Sequence, residues 1–457
     1  MRRMLVVLLP LASLLAAACS SASPAPEPAA RRADQHLAAR ATTLTPWHQY
    51  HRGPSRAGLV GHSPGGPLQR AWAKRLGQAV YGEPLVVGDT LIAATEGNQV
   101  FGLNARTGVR RWKTGLGTPQ PMSGLPCGDI DPLGVTGTPA YDPDTGSVFM
   151  VAETKGGHHT LWALNAANGH RRWHVSLDVL PHRNRKAEQQ RSAVLVVHGR
   201  VVVSFGGLAG DCDNYVGYVT STSVHGTGKT YHYAVPTARE AGMWAPPGPV
   251  RGRNGHVYVA SGNGAELNGT WDKSDSVNEL STIRLHRLSI FAPATWRDDN
   301  VRDLDLGSSS PTMLPSLKRV VIAGKRGTVY LLHETLHGVG SAITNKGGCA
   351  AFGGTAVSGR SVIYPCLFEN EVRLLHVGLK DLRWGWTRSG LYGSPVVAGS
   401  RVYVADRDSG DLFVLRLSDG SLLQRIHAGP VTHFPSETVS GDYVFVPTLR
   451  GVTAFRG

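Results

Sequence analysis

The apolar positions of this chain come in short runs, alternating with polar positions and cut apart by Gly and Asp, and the arrangement repeats. From Tyr392 onward, Pro395-Val-Val-Ala is followed by a Gly-Ser turn, Arg401-Val-Tyr-Val-Ala, the turn Asp406-Arg-Asp-Ser-Gly, Asp411-Leu-Phe-Val-Leu, an Asp-Gly turn and a last run ending at Ile426. β-Branched and aromatic runs this short, separated by such turns, predict antiparallel strands joined by hairpins. The unit is one four-stranded sheet. It returns from Tyr81 to Gly115, where Thr107-Gly-Val-Arg-Arg-Trp112 forms the end, and from Gly137 to Leu177, with Trp162 and Trp173 in the third and fourth strands. Innermost strands are expected to start at Gly82, Gly137, Ser192, Ala245, Ser308, Gly353, Gly393 and Ser436, which makes eight units. Each sheet leaves an apolar face that only a neighbour can cover, and closing a ring covers every one. The predicted fold is therefore all-β: an eight-bladed β-propeller of four-stranded antiparallel blades over residues 44–457. The eighth unit supplies three strands before Gly457. Leu68–Leu76, with Trp72 placed like Trp112 and Trp173, is expected to provide the fourth and close the ring from the N-terminal side.

Ahead of the ring stand Arg2 and Arg3, an apolar run from Met4 to Ala18, and Cys19. The run suits an export signal over residues 1–18 and falls short of the ~20 residues a membrane-crossing helix needs. Small residues before Cys19, then Ser20 and Ser21, resemble the processing site of bacterial lipoproteins, which implies a lipid on Cys19; Ala16 stands where that pattern has Leu. Residues 19–43, rich in Ala, Pro and Arg without apolar periodicity, read as a flexible tether. The expected location is the outer face of the cytoplasmic membrane, held through the lipid anchor alone, or the medium if Cys19 is unmodified.

Cys127, Cys212, Cys349 and Cys366 are even in number, which in an exported chain favours two disulfides over metal ligation. Cys349 precedes one innermost strand and Cys366 ends the next strand, so a hairpin sets them side by side. Cys127 and Cys212 then remain, on one face of adjacent blades. No Cys-x-x-Cys-His occurs, so no covalent haem is expected. The chain carries 47 Lys+Arg against 33 Asp+Glu, a net charge of +14. These charges are dispersed through the blades of an exported protein, so an envelope protein, an anionic polymer or lipid head groups are expected as partners rather than nucleic acid. A monomer is expected. Gly-x-Ser-x-Gly, a Walker-type loop and His-Glu-x-x-His are all missing from the sequence, which disfavours serine hydrolases, nucleotide hydrolases and zinc proteases.

The recurring form, an apolar inner strand, Val-Tyr-Val-Ala, a Gly turn, Leu-Tyr/Phe-x-Leu, Thr/Asp-Gly and Trp, resembles the pyrroloquinoline quinone (PQQ) repeat family of propellers from Leu68 to Gly457. More narrowly, Phe291-Ala-Pro-Ala-Thr-Trp296 and Asp303-Leu-Asp305-Leu-Gly-Ser308-Ser-Ser-Pro311 are similar to the polyvinyl-alcohol-dehydrogenase-like branch and related actinobacterial propellers. The resemblance implies either a quinoprotein alcohol dehydrogenase or an envelope lipoprotein that only binds other proteins. It also implies that ligands sit over the channel mouth, where innermost strands begin. The residues just ahead of those strands are Tyr81, Thr136, Arg191, Trp244, Ser308, Phe352, Tyr392 and Phe434. Aromatic planes and a guanidinium suit a flat, anionic quinone through stacking and charge-assisted hydrogen bonds. The same rings suit blade packing, and some are expected to fill the mouth.

Candidate cofactor-binding residues are Arg191, Trp244, Ser308, Tyr392 and His433, the last also suited to acid–base chemistry. The pairs Asp129/Asp131 and Asp303/Asp305 lie ahead of inner strands, and in extended backbone their spacing points both carboxylates one way. Each pair can supply a general base, Ca²⁺ ligands or a turn cap. Asp305 and Asp131 are the candidate catalytic bases; Asp406–Asp411 is a hairpin turn. Without an adjacent Cys-Cys pair, a haem motif or a convincing Ca²⁺ set, no metal ligands are assigned. The leading expectation is a lipid-anchored binding or scaffolding module, the alternative a dehydrogenase oxidising an alcohol with PQQ and Ca²⁺. The mouth discriminates between them. An open pocket lined by Arg, aromatic and carboxylate groups favours the enzyme, and a plugged one the binding module.

Overall fold

A computed structural model describes residues Thr43–Gly457; the expected export signal, Cys19 and the expected tether up to residue 42 lie outside the described residues. Eight sheets, each with four antiparallel strands at its centre, form an eight-bladed propeller, and three sheets add a short fifth strand. The innermost strands are Leu85–Val87, Ala140–Asp142, Leu195–Val197, Val250–Arg251, Thr312–Leu314, Ala356–Ser358, Val396–Ala398 and Thr438–Ser440. Each begins a few residues after its expected start. The intervening residues instead bridge neighbouring blades around the channel: Glu83 N donates to Thr138 Oγ1 (2.8 Å), Gly353 N to Ser308 O (3.1 Å) and Ser394 N to Pro435 O (2.9 Å). Gln69–Arg75 pairs antiparallel with Gly451–Arg456, Gln69 opposite Arg456 and Arg75 opposite Gly451, so the N-terminal strand closes the ring as its pattern predicts.

The repeated Trp and the repeated turn Gly explain each other. Trp72, Trp112, Trp173 and Trp386 each lie against the turn glycine of the following blade, Gly108, Gly169, Gly226 and Gly420, all at positive φ. A Cβ on Gly108 would stand 2.8 Å from Trp72, and one on Gly226 2.5 Å from Trp173. The indole therefore needs both the missing side chain and the left-handed turn. Trp72 and Trp386 also donate through Nε1 to Ala105 O (3.1 Å) and Leu417 O (2.8 Å) of the following blade. Blades thus interlock at the rim while apolar faces such as Val148, Phe149 and Val151 pack between them.

A second feature has no counterpart in the sequence analysis. Residues 44–60 run around the inside of the channel at the end where the innermost strands finish. Trp47 exchanges hydrogen bonds with Val86, Tyr141 N donates to His48 O, the Gln49 amide meets both polar groups of Val196, and Arg251 N donates to Pro54 O. Val357 N reaches Ala57 O, Val397 N reaches Gly58 O, and Ser440 Oγ reaches Thr45 O. One segment so satisfies polar groups of the innermost strands of seven blades. Inside it, buried Arg56 donates to Val194 O (2.9 Å) and Pro249 O (3.3 Å). Glu83 accepts from His51 N (2.6 Å) and Ser436 Oγ (3.0 Å). Burial pushes the Glu83 carboxyl up to about 8 and pulls the neighbouring Arg56 guanidinium down to about 9, so each tempers the other's desolvation.

Candidate functional site at the channel mouth

The opposite end of the channel is open. A cavity of about 430 Å³ lies there, lined by Arg191, Trp244, Phe352, Phe434, His433, Gln189, Lys325 and the carboxylates of Asp129, Asp211, Asp303 and Asp305. Two kinds of chain segment build it: the residues just ahead of innermost strands, and the loops between second and third strands that carry Asp211 and Lys325.

One side is aromatic. Phe352 and Phe434 stack at 5.8 Å and 14°, and Trp244 lies 6.4 Å and 6.0 Å from them. The rings form a wall and leave the cavity beside them. The Arg191 guanidinium lies 5.0 Å over Phe434, a cation–π arrangement. Arg191 is half-buried, and its Nη2, itself shielded, has no hydrogen-bond partner; burial lowers its pKa, against the pull of Asp129, Tyr81 and Glu96. A guanidinium nitrogen left so, on a cavity wall, is suited to an anionic group entering from the cavity.

The other side is ionic. Lys325 Nζ stands 2.7 Å from both Asp303 Oδ1 and Asp305 Oδ2. Its burial works against the charge, but the two carboxylates outweigh it and raise the pKa. Asp305 Oδ1 also accepts from Asn263 N (2.8 Å), so both its oxygens are held. Asp211, across the cavity, has its pKa raised, chiefly by burial, with the charges of Asp305 and Asp303 adding to it, and Tyr215 Oη donates to it. His433 Nδ1 lies 3.2 Å from Asp129 Oδ2, and this bond leads the lowering of the Asp129 pKa. The Cys127–Cys212 disulfide, Cα–Cα 6.2 Å, ties the loop bearing Asp129 to the loop bearing Asp211, and Cys349 pairs with Cys366; both pairings are those expected.

The structure therefore brings Arg191, Trp244, His433 and Asp305 together. It does not bring in three other candidates. Asp131 Oδ1 accepts from Met122 N (3.0 Å) in a loop, because this stretch is not extended and the two carboxylates of Asp129 and Asp131 do not share a direction. Ser308 Oγ donates to Ala351 O (2.7 Å) and serves the joint between blades. Tyr392 is nearly buried, with its hydroxyl 3.2 Å from Asp408 Oδ1, and lines no part of the cavity. Asp211, Lys325 and Gln189 were missed. Asp211 was within reach, since it adjoins Cys212, whose partner Cys127 leads directly to the mouth. Lys325 carries no local signal, being a turn residue made important by Asp305 twenty residues earlier.

An all-β ring of eight repeated blades with this mouth is an eight-bladed β-propeller of the PQQ-like kind. The family model described as outer membrane protein assembly factor BamB matches residues 69–211. Among solved structures, the quinohemoprotein alcohol dehydrogenase of Comamonas testosteroni is 17% identical with a TM-score of 0.70, covering 92% of this chain and 82% of that one. The quinohemoprotein alcohol dehydrogenase ADHIIG of Pseudomonas putida HK5 is 16% identical with a TM-score of 0.69, over 90% and 80%. BamB of Moraxella catarrhalis is 18% identical with a TM-score of 0.61, over 86% and 100%. A comparison with curated proteins returned no match. These likenesses establish the fold.

The site's fit to the groups the resemblance implies divides in two. A flat anion fits: the cavity has the room, Trp244 offers a ring face, and Arg191 Nη2 is unpartnered. A Ca²⁺ ion has no ready-made seat, since among the described residues no group of three or more His, Cys, Asp or Glu is placed to hold a metal. The point between Asp303 and Asp305 is taken by the Lys325 ammonium.

Proposed function

We propose that the mouth cavity binds a flat, anionic quinone such as PQQ and that the chain oxidises an alcohol there, outside the cell. The observation that carries this reading is the buried, unpartnered Arg191 Nη2 on the wall of an open cavity shared with Trp244 and Asp305. When bound, the quinone would accept the hydride. Arg191 would pair with a ligand carboxylate, Trp244 would offer a stacking face, and Lys325 would place positive charge beside a developing oxyanion. The two carboxylates differ by environment. Asp305 has its two oxygens fixed by Lys325 and Asn263 N and suits the acceptor of the hydroxyl proton, while burial favours the protonated form of Asp211. The His433–Asp129 pair at the cavity edge suits onward movement of that proton. A second reading, a non-catalytic binding module of the envelope, is favoured by the Lys325 ammonium seated where a cation would bridge Asp303 and Asp305.

Export fits the two disulfides, which persist in oxidising compartments. We place the protein on the outer face of the cytoplasmic membrane through lipid on Cys19. The test of activity is turnover of a panel of primary and secondary alcohols with PQQ, with and without Ca²⁺, and an artificial electron acceptor. Turnover lost in Asp305→Ala is expected. Quinone binding without turnover of any alcohol would leave the binding module standing and remove the enzyme.

A further inference from the structure

The closing strand Gln69–Arg75 is flanked by two grooves on the rim of the ring. One, of about 590 Å³, is lined by Gln69, Arg70, Arg106, Tyr443 and Arg456. The other, of about 340 Å³, is lined by Arg70, Lys74, Arg75, Arg450 and His427. Six Arg and Lys side chains face the pair, Arg70 stands in both, and no Asp or Glu lines either. The Asp411 carboxylate nearby is taken by Arg425 (2.6 Å) and His427 (2.7 Å). The strand pairs on one side only, with Gly451–Arg456. Cations on an open edge also discourage edge-to-edge pairing, but that purpose needs one or two charges and no groove.

We propose that this seam is a track for a linear polyanion with a phosphodiester backbone outside the cell. Between Arg70 and Arg75 the strand spans about 17 Å at ~3.3 Å per residue, so cations follow an extended chain over several repeats. Five of the six are Arg, whose planar fork matches phosphate oxygens. Both grooves are concave, which admits a polymer chain, whereas a flat bilayer would meet only the ridge between them. The one aromatic lining residue, Tyr443, is stacked on Phe445 at 5.7 Å and 3° and has Arg456 over its ring, so the track offers no free platform for nucleobases.

The test is equilibrium binding of a poly(glycerol phosphate) oligomer to the folded, disulfide-intact protein as salt is varied. Five phosphate contacts, through Arg70, Lys74, Arg75, Arg450 and Arg456, at ~0.7 per contact predict a log–log salt slope of about −3.5. The variant Lys74→Glu/Arg75→Glu/Arg450→Glu should lose tenfold or more in affinity. Arg360→Glu/Lys380→Glu/Arg383→Glu, exposed on blade six and equal in charge change, should stay within twofold. Equal loss in both variants would reduce the effect to net charge and overturn the track. So would no binding by the native protein, equally tight binding to anionic vesicles through the same residues, or tighter binding to single-stranded DNA of equal charge.

Discussion

Replacing Gly169 by Ala tests the interlock between blades. Gly169 sits at φ +74°, where an L side chain costs about 1–2 kcal/mol. The added Cβ would stand 2.8 Å from both Trp112 Cδ2 and Thr114 Oγ1, so the indole of the preceding blade must move. Overpacking of that kind costs about 1–3 kcal/mol, and the two effects together come to about 2–5 kcal/mol. Gly199→Ala is the reference: φ is +70° and nothing lies within 4 Å of its Cβ, so only the backbone cost applies. Adding Trp112→Leu to Gly169→Ala should recover part of the loss, a coupling of about 0.5–3 kcal/mol. Denaturant midpoints followed by far-UV circular dichroism with both disulfides intact give the comparison, and unfolding rates at fixed denaturant give it where refolding fails. If Gly169→Ala costs no more than Gly199→Ala, the Trp–Gly contact does not hold the blades together.

Removing the Cys127–Cys212 bridge, which spans 85 residues, should cost about 4–5 kcal/mol in the chain-entropy picture, against about 3 kcal/mol for Cys349–Cys366 across 17; Ser variants compared by denaturation check the order. Arg56→Met leaves the buried carbonyls of Val194 and Pro249 without their donor and should cost about 1–3 kcal/mol by denaturation; because burial raises the Glu83 carboxyl to about 8, the cost should grow as pH climbs past that value, and a cost independent of pH would mean that Arg56 acts only through its carbonyl contacts. Burial raises the Glu437 carboxyl from 4.5 to about 8, so the folded state binds more protons than the unfolded and stability falls as pH climbs through that range. Glu437→Gln should flatten this fall and exceed the native protein in stability at pH 8, and parallel pH profiles would refute the assignment.

The blades were legible because each repeats one pattern, short apolar runs that are continuous where a strand is covered on both faces and alternate in outer strands, cut by Gly/Asp turns. Even the closing strand could be found, since Trp72 obeys the rule of Trp112 and Trp173. The 44–60 segment could not. It has no periodicity, its hydrogen bonds go to innermost strands far along the chain, and His51, Arg52 and Arg56 take positive φ with no glycine to announce it. At the mouth, residues ahead of innermost strands were the right place to look for Arg191, Trp244 and His433. They were half of it. Lys325 and Asp211 come from loops between second and third strands, which reach the same end of each blade but read locally as ordinary turns. Asp131 and Ser308 show the converse: they stand where the pattern points, yet their polar atoms are spent on a loop and on a joint between blades.

The central claim is that the mouth holds a flat anion against Arg191 and Trp244, and titration of PQQ into the folded, disulfide-intact protein by calorimetry tests it most directly. The account predicts one site per chain. Arg191→Met should weaken it by about 10- to 150-fold, the worth of a hydrogen bond to a charged group, about 1.5–3 kcal/mol. It also predicts quenching of Trp244 fluorescence on binding, absent in Trp244→Leu. No binding to the native protein, or binding indifferent to Arg191→Met, would contradict it.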